Sequence, residues 1–345
     1  MKIYTFNAAE NTRVEILWSL RPKNRDKIFE EFITKNNWTE VSSIQNCQVA
    51  IYPYKVFNPE TLAFDASVFD AAEEAVKYNK PLVIDATSDS DVFLDISTAN
   101  ILRSGLYKSL KKTLETECPY WSDGKTKDKL ESLDIGFKSS KPAVGFCGTT
   151  SSIGKLFKIG KVLPLSVAQS VLSQGAIARR VDIRLKKGMS HKLRAIAINL
   201  LEADPRIDSC FDITNHLDDY YDRDNSNRNL LENLFIKNML ESDYALCVRA
   251  NGNYSGRFYM ALNAGRIPVV IDTDVVIPYE DKLHIIKIPV DSLSKIADII
   301  LEHFERTSDR EFREMKRENR SVYQQFLAPE KFLPNFLKGV VERNS

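Results

Sequence analysis

The chain has 345 residues, 43% hydrophobic and 28% charged, a size and composition that suit a globular protein of two domains. Its 48 basic and 47 acidic residues leave a net charge of +1, which offers no general attraction to nucleic acid or to an anionic membrane. No stretch approaches ~20 uninterrupted apolar residues, so no membrane span is expected. The opening MKIYTFNAAENTR lacks the apolar core of a secretion signal, and the expected location is the cytoplasm.

Short apolar runs, each followed by a polar loop and a helical pattern, recur along the chain. The strand-like runs are KIYTF (2–6), QVAIYP (48–53), PLVIDA (81–86), AVGFCG (143–148), YALCVR (244–249), IPVVID (267–272) and HIIKIP (284–289). Amphipathic helical patterns occupy 69–78, 191–202, 229–240 and 291–304. Near-continuous apolar strands alternating with helices predict α/β parallel sheets covered on both faces. The alternation breaks in the polar, lysine-rich stretch 122–141, where a domain boundary is placed. Residues 1–138 are expected to form one Rossmann-like domain and 139–325 a second. Residues 326–345 form a terminal helix that could cross back to the first. The five cysteines show no CxxC pair and read as buried free thiols.

Three motifs fail on spacing. In GFCGTTSSIGKL (145–156), five residues separate Gly148 from Gly154-Lys155 where a phosphate loop has four, and Leu156 stands where Ser or Thr would hold magnesium. GNYSG (252–256) places Ser255 one position late for a hydrolase elbow. The histidines His191, His216, His284 and His303 are scattered without metal-ligand spacing and read as structural or surface residues.

Residues 249–257, RANGNYSGR, are more informative. A strand ends at Arg249, a loop follows, and Ser255 is placed to cap a helix that Gly265 ends. The unpaired N–H groups and partial positive charge of a helix N-terminus attract an anion. Gly252 and Gly256, lacking Cβ, allow close approach of a ligand. Arg249 and Arg257 flank the same point and can hold phosphate oxygens. With Asn253 and Tyr254 completing the loop, the stretch predicts a diphosphate site. Phe258, Ala261, Leu262 and Gly265 mark the core face of the helix, which leaves Arg257 and Met260 together on another edge. The following strand ends Asp272-Thr273-Asp274. Thr273 and Asp274 are expected to rim the crevice at the carboxyl ends of the strands, a role preferred here to metal binding. Gly148 and Thr149 form a turn expected to face the same crevice.

These residues resemble the exostosin-like glycosyltransferases, in particular the soluble forms of bacteria and large viruses. That family carries R-x-x-G-[ND]-x-S-x-R-[FL]-[YF]-E-x-L-x-x-G-x-I-P-V, then a strand, an acidic turn and L-P-[FY]. The chain presents Arg249, Gly252-Asn253, Ser255, Arg257-Phe258-Tyr259, Leu262, Gly265-Arg266-Ile267-Pro268-Val269, Asp272-Thr273-Asp274 and Ile277-Pro278-Tyr279. The match is sharp over 242–281, with weaker echoes in 101–121 and 144–148.

The resemblance implies a GT-B architecture: two Rossmann-like domains with a cleft between them, the nucleotide-sugar donor held mainly by the second. It also implies inverting transfer of the sugar to a glycan acceptor hydroxyl, with no metal or other cofactor. The diphosphate would lie against Arg249, Gly252, Asn253, Tyr254, Ser255, Gly256, Arg257 and Met260, near Thr273, Asp274, Gly148 and Thr149. Arg257 would stabilise the leaving group. A general base from the N-terminal domain would activate the acceptor. Asp85, at the carboxyl end of its strand, is the candidate preferred to Glu10, Asp89 or Asp91. Tyr52, Tyr54, Lys55, Arg103 and Tyr107 are candidates for the acceptor side. The family has Glu where this chain has Met260, and thioether sulfur accepts hydrogen bonds only weakly. The alternative is therefore a weak or inactive protein of the same fold that binds nucleotide sugar or glycan. Donor, acceptor and oligomeric state have no local code in the sequence.

Overall fold

The structure, a computed structural model, describes residues 1–6, 31–54, 56–58, 63–122, 124–150, 154–213 and 226–344. The chain separates into two compact units. One comprises Met1–Leu106, Lys111–Asp123 and Ala328–Ser345; the other comprises Tyr107–Leu110 and Gly124–Leu327. The helix Gly124–Glu131 thus groups with the second unit, although the sequence reading carried the first domain to residue 138.

In the first unit the strands are β1 (Lys2–Thr5), β2 (Thr39–Glu40), β3 (Val49–Tyr52), β4 (Phe57–Asn58), β5 (Ala63–Phe64), β6 (Leu82–Asp85), β7 (Ala99–Arg103) and β8 (Glu115–Glu117). Six of them form a parallel sheet in the order β2-β1-β3-β6-β7-β8, while β4 and β5 pair as a small antiparallel ribbon. Every residue of VAIY in β3 and LVID in β6 is buried, as strands covered on both faces require. The helix Ser67–Lys77 turns Val68, Ala71, Ala72 and Ala75 inward at helical spacing. The helix Pro329–Arg343 starts with proline in its first turn, where no intrahelical N–H is lost. Its Phe332, Leu333, Leu337 and Val340 join Ile3, Val49, Ile51 and Trp121 in one core cluster.

Strands β7 and β8 were not evident as apolar runs, and their charges explain why. Arg103 is buried and pairs with Glu115 at 3.2 Å, and it also donates to the Val92 carbonyl at 2.9 Å. Glu117 accepts from the amides of Gly105 and Leu106 at 2.8 and 2.7 Å. Burial pushes the Glu117 carboxyl up to about 8, against the opposing pull of those amides and Arg103.

The second unit holds β9 (Ala143–Gly148), β10 (Asp208–Ile213), β11 (Tyr244–Cys247), β12 (Ile267–Asp272) and β13 (Ile286–Pro289). They form a parallel sheet in the order β10-β9-β11-β12-β13. The edge strand β10 is only half buried, so its sequence DSCFDI shows no apolar run. The direction of winding reverses between β9 and β11, which makes their carboxyl ends the switch point of a doubly wound sheet. Each unit is thus a parallel α/β layer of the Rossmann type. All five cysteines are free thiols. Among the described residues, no helix is long and apolar enough to cross a membrane.

Candidate functional site

The loop 249–255 leaves β11 at the switch point and leads into the helix Gly256–Asn263. Ser255 occupies the N-cap position with extended backbone, but its hydroxyl makes no capping hydrogen bond, contrary to the sequence expectation. The other end is as predicted. Gly265 adopts φ +62°, its N–H bonds the Leu262 carbonyl and the Arg266 N–H bonds Ala261, a complete Schellman motif. Phe258, Ala261 and Leu262 are buried, while Arg257 and Met260 are only partly so, in keeping with a shared edge.

Arg257 lies at the centre of the arrangement. Its guanidinium carbon is 4.0 Å from the Phe146 ring centroid, and Nη2 donates to the Cys147 carbonyl at the end of β9. Gly148 follows with φ +153°, and a Cβ there would stand 2.9 Å from the same Nη2. The glycine is required both by its backbone angle and by the guanidinium over it. Thr149 is buried beside it.

Arg249 differs from its sequence reading as a phosphate clamp. It is 2% exposed, and Nη1 donates to Asn253 Oδ1 at 2.9 Å and to the Tyr107 hydroxyl at 3.3 Å. Its Nε and Nη2 are buried and make no hydrogen bond within the protein. A cavity of about 20 Å³ lies under the loop beside Arg249, Asn253 and Ser255. That is room for about one water and far too little for a diphosphate.

Thr273 and Asp274 also differ from expectation. Thr273 is 1% exposed and donates to Asn253 Oδ1 at 2.7 Å, so it secures the loop from beneath and does not form a rim. Asp274, at φ +62°, is a junction. Its carboxylate accepts from the Ser109 hydroxyl, from the Ser109 amide at 3.2 Å and from the Gly175 amide at 3.2 Å. Its carbonyl accepts from the Lys108 amide at 2.8 Å and from Asn253 Nδ2 at 3.3 Å. Asp272 pairs with Lys287 at 3.0 Å. Both carboxylates of Asp-Thr-Asp thus have protein partners. Among the described residues no group of three or more His, Cys, Asp or Glu gathers as a metal site would require. Gly252 is buried within the loop, and Tyr254 closes it by accepting from the Ala250 amide at 3.2 Å.

Tyr107 was expected on the acceptor side, yet it belongs to the second unit, where it bridges to Val275 and meets Arg249. In the first unit, Asp85 stands at the end of β6 with Oδ1 accepting from the Thr87 amide at 2.9 Å and hydroxyl at 2.6 Å, the bonding of a turn cap. Tyr52 is buried, bonds Ser67 at 2.6 Å and meets Tyr54 edge-on. Arg103 is consumed by Glu115 and is not available to an acceptor. Lys55 and Glu10 lie outside the described residues, as does His216. His191, His284 and His303 lie apart, the latter two bonded to Glu318 and Tyr244.

Sequence reasoning missed Arg194, in the helix Ile183–Glu202. It is 6% exposed and approaches the same switch point, with its guanidinium 5.5 Å from the Phe146 ring. Burial, then Arg257, lowers its pKa to about 9, so it remains charged at neutral pH. Only its place within a helical stretch was legible, because its partners are backbone carbonyls that no motif encodes. Among the described residues neither Arg194 nor Arg249 has a carboxylate partner. Arg194, Arg249 and Arg257 thus gather at the switch point, and Arg257 is the least buried of the three.

No protein-family model matches the chain, and no curated protein matches it. Among solved structures it is similar to Anabaena HepE in complex with UDP and glucose, at 9% identity over 99% of this chain and 98% of that one, TM-score 0.35. It is also similar to a glycosyltransferase from Rickettsia africae, at 8% identity over 100% and 99%, TM-score 0.38. A third is the DNA-modifying enzyme β-glucosyltransferase, at 9% identity over 99% and 100%, TM-score 0.40. At these TM-scores the likenesses carry no weight for the chemistry of the site.

Proposed function

We propose that the protein is a glycosyltransferase of GT-B type that moves a sugar from a nucleotide-diphosphate donor to a glycan hydroxyl, with inversion and without a metal ion. The observation that supports it most is the gathering of Arg257, Arg194 and the start of the helix Gly256–Asn263 at the switch point of the second sheet. Charge develops on the diphosphate as the glycosidic bond breaks, and preorganised cations there lower the barrier. In this reading Arg257 contacts the phosphates, while Arg249, Asn253 and Thr273 fix the loop that delivers the helix N-terminus. The signature shared with the exostosin-like transferases over 242–281 points the same way.

The test is a panel of UDP-, GDP- and CMP-linked sugars, measured by calorimetry and donor hydrolysis, with and without EDTA, beside Arg257→Ala. One donor should be hydrolysed, the rate should survive EDTA, and Arg257→Ala should lower it by about 10²-fold, the usual scale for an electrostatic stabiliser. Loss of activity in EDTA would remove the metal-independent part of the reading. Donor binding without turnover, in the presence of a glycan acceptor panel, would favour a binding protein in which Met260 has replaced the acidic residue of the family signature. Absence of binding to any donor would refute the site.

A further inference from the structure

Three backbone carbonyls at the switch point turn toward a single side chain. Arg194 Nη1 donates to the Thr149 carbonyl at 2.5 Å, and Nη2 donates to those of Val248 at 3.4 Å and Arg249 at 3.2 Å. Thr149 follows β9, whereas Val248 and Arg249 follow β11. One guanidinium therefore joins the two loops between which the sheet reverses its winding. One turn earlier on the same helix, His191 is also buried. Its pKa falls to about 3 through burial and the charge of Arg194, so it stands there as a neutral ring and adds no charge.

We propose that Arg194 is a positioning residue for the diphosphate site, holding the loops that present Gly148, Arg257 and the helix N-terminus; this rests on the transferase reading above. The peptide unit is planar, with C=O and N–H pointing in opposite directions. Drawing the carbonyls of Thr149, Val248 and Arg249 onto Arg194 turns three negative dipole ends away from an incoming anion. It also aims the N–H groups of Thr150, Arg249 and Ala250 away from the guanidinium. The Ala250 N–H then meets the Tyr254 carbonyl, which closes the loop directly before Ser255 and Gly256.

A packing role alone does not require a charge here. A buried guanidinium without a carboxylate is costly to a fold, a cost that hydrogen bonds to three carbonyls offset only in part. The charge of Arg257 raises the cost further, because like charges repel and Arg257 is the second cause of the lowered Arg194 pKa. A diphosphate at Arg257 offsets both.

The decisive measurement compares Arg194→Met and Arg194→Lys with the wild type, each first shown to be folded by circular dichroism. Calorimetry then gives Kd for uridine and guanosine diphosphates and for the corresponding nucleosides. Arg194→Met should weaken the preferred diphosphate at least ~10-fold while nucleoside affinity changes less than ~2-fold, and Arg194→Lys should recover part of the loss. Unchanged diphosphate affinity in a folded Arg194→Met protein, or equal losses for diphosphate and nucleoside, would overturn the inference. If Arg194→Met does not fold, Arg194→Lys decides: it keeps the charge without the planar fork, so undiminished diphosphate affinity overturns the proposal and a several-fold loss supports it. A wild type that binds neither diphosphate overturns the transferase reading itself, whereas a binding wild type with unaffected variants overturns only the role of Arg194.

Discussion

Gly148 is held to its residue type by the neighbours that form the site. Two constraints meet there: a left-handed backbone angle and a guanidinium in the space where Cβ would be. In Gly148→Ala the methyl group must displace Arg257 from its place beside the Cys147 carbonyl and the Phe146 ring. The guanidinium is the far end of a flexible side chain, so the displacement costs little in stability. With the backbone angle added, Gly148→Ala is expected to lose about 1 kcal/mol of stability. Its effect on the site should be larger, with diphosphate affinity falling about 10-fold, equivalent to one misplaced charge-assisted hydrogen bond. Urea unfolding and calorimetry on the same preparation separate the two. Full affinity in Gly148→Ala would show that the observed pose of Arg257 is unimportant to binding.

At the scale of elements, the sequence was informative wherever burial is apolar and uninformative wherever buried charges satisfy one another. The runs VAIY, LVID, YALC and IPVVID were legible because parallel strands covered on both faces have no polar side. Strands β7 and β8 were not, since Arg103, Glu115 and Glu117 resemble a surface loop until the pairing is seen. The same limit applied at the site. Arg257 and the helix start could be read from the order of residues, but the inward turn of Arg249, the role of Thr273 and the reach of Arg194 depend on partners far away in sequence. Glu117 gives this contrast a measurable consequence. Its folded pKa of about 8 lies above the ordinary 4.5, so the folded chain keeps a proton that the unfolded chain releases. Its contribution is complete below about pH 4.5 and is lost as the pH rises toward 8. Glu117→Gln cannot titrate. The stability of the wild type relative to Glu117→Gln should therefore decline across that window and level off above it. A difference that stays constant from acid to mild alkali would mean that Glu117 is ionised in the fold.

For the whole molecule, the division into units does not follow the order of the chain, because residues 328–345 close the first unit after the second is complete. The helix Pro329–Arg343 buries Phe332, Leu333, Leu337 and Val340 among residues of β1, β3 and β7. At ~1.5–3 kcal/mol for each buried side chain, these four contribute about 6–12 kcal/mol, as much as the net stability of many entire domains. The second unit has its own core, which includes Phe146, Leu246, Val269, Ile288 and Phe312 and draws nothing from that helix. A chain ending at Leu327 should therefore lose the first unit and keep the second. Limited proteolysis should cut rapidly within residues 31–106 while Tyr107–Leu110 and Gly124–Leu327 resist. Nucleoside diphosphate affinity, which the proposed site draws from the second unit, should survive within about 3-fold, since the residues that hold the anion remain in place. Protection of both units in the shortened chain would show that the terminal helix is not needed to close the first core. Digestion of both would show that the second unit does not stand without the first.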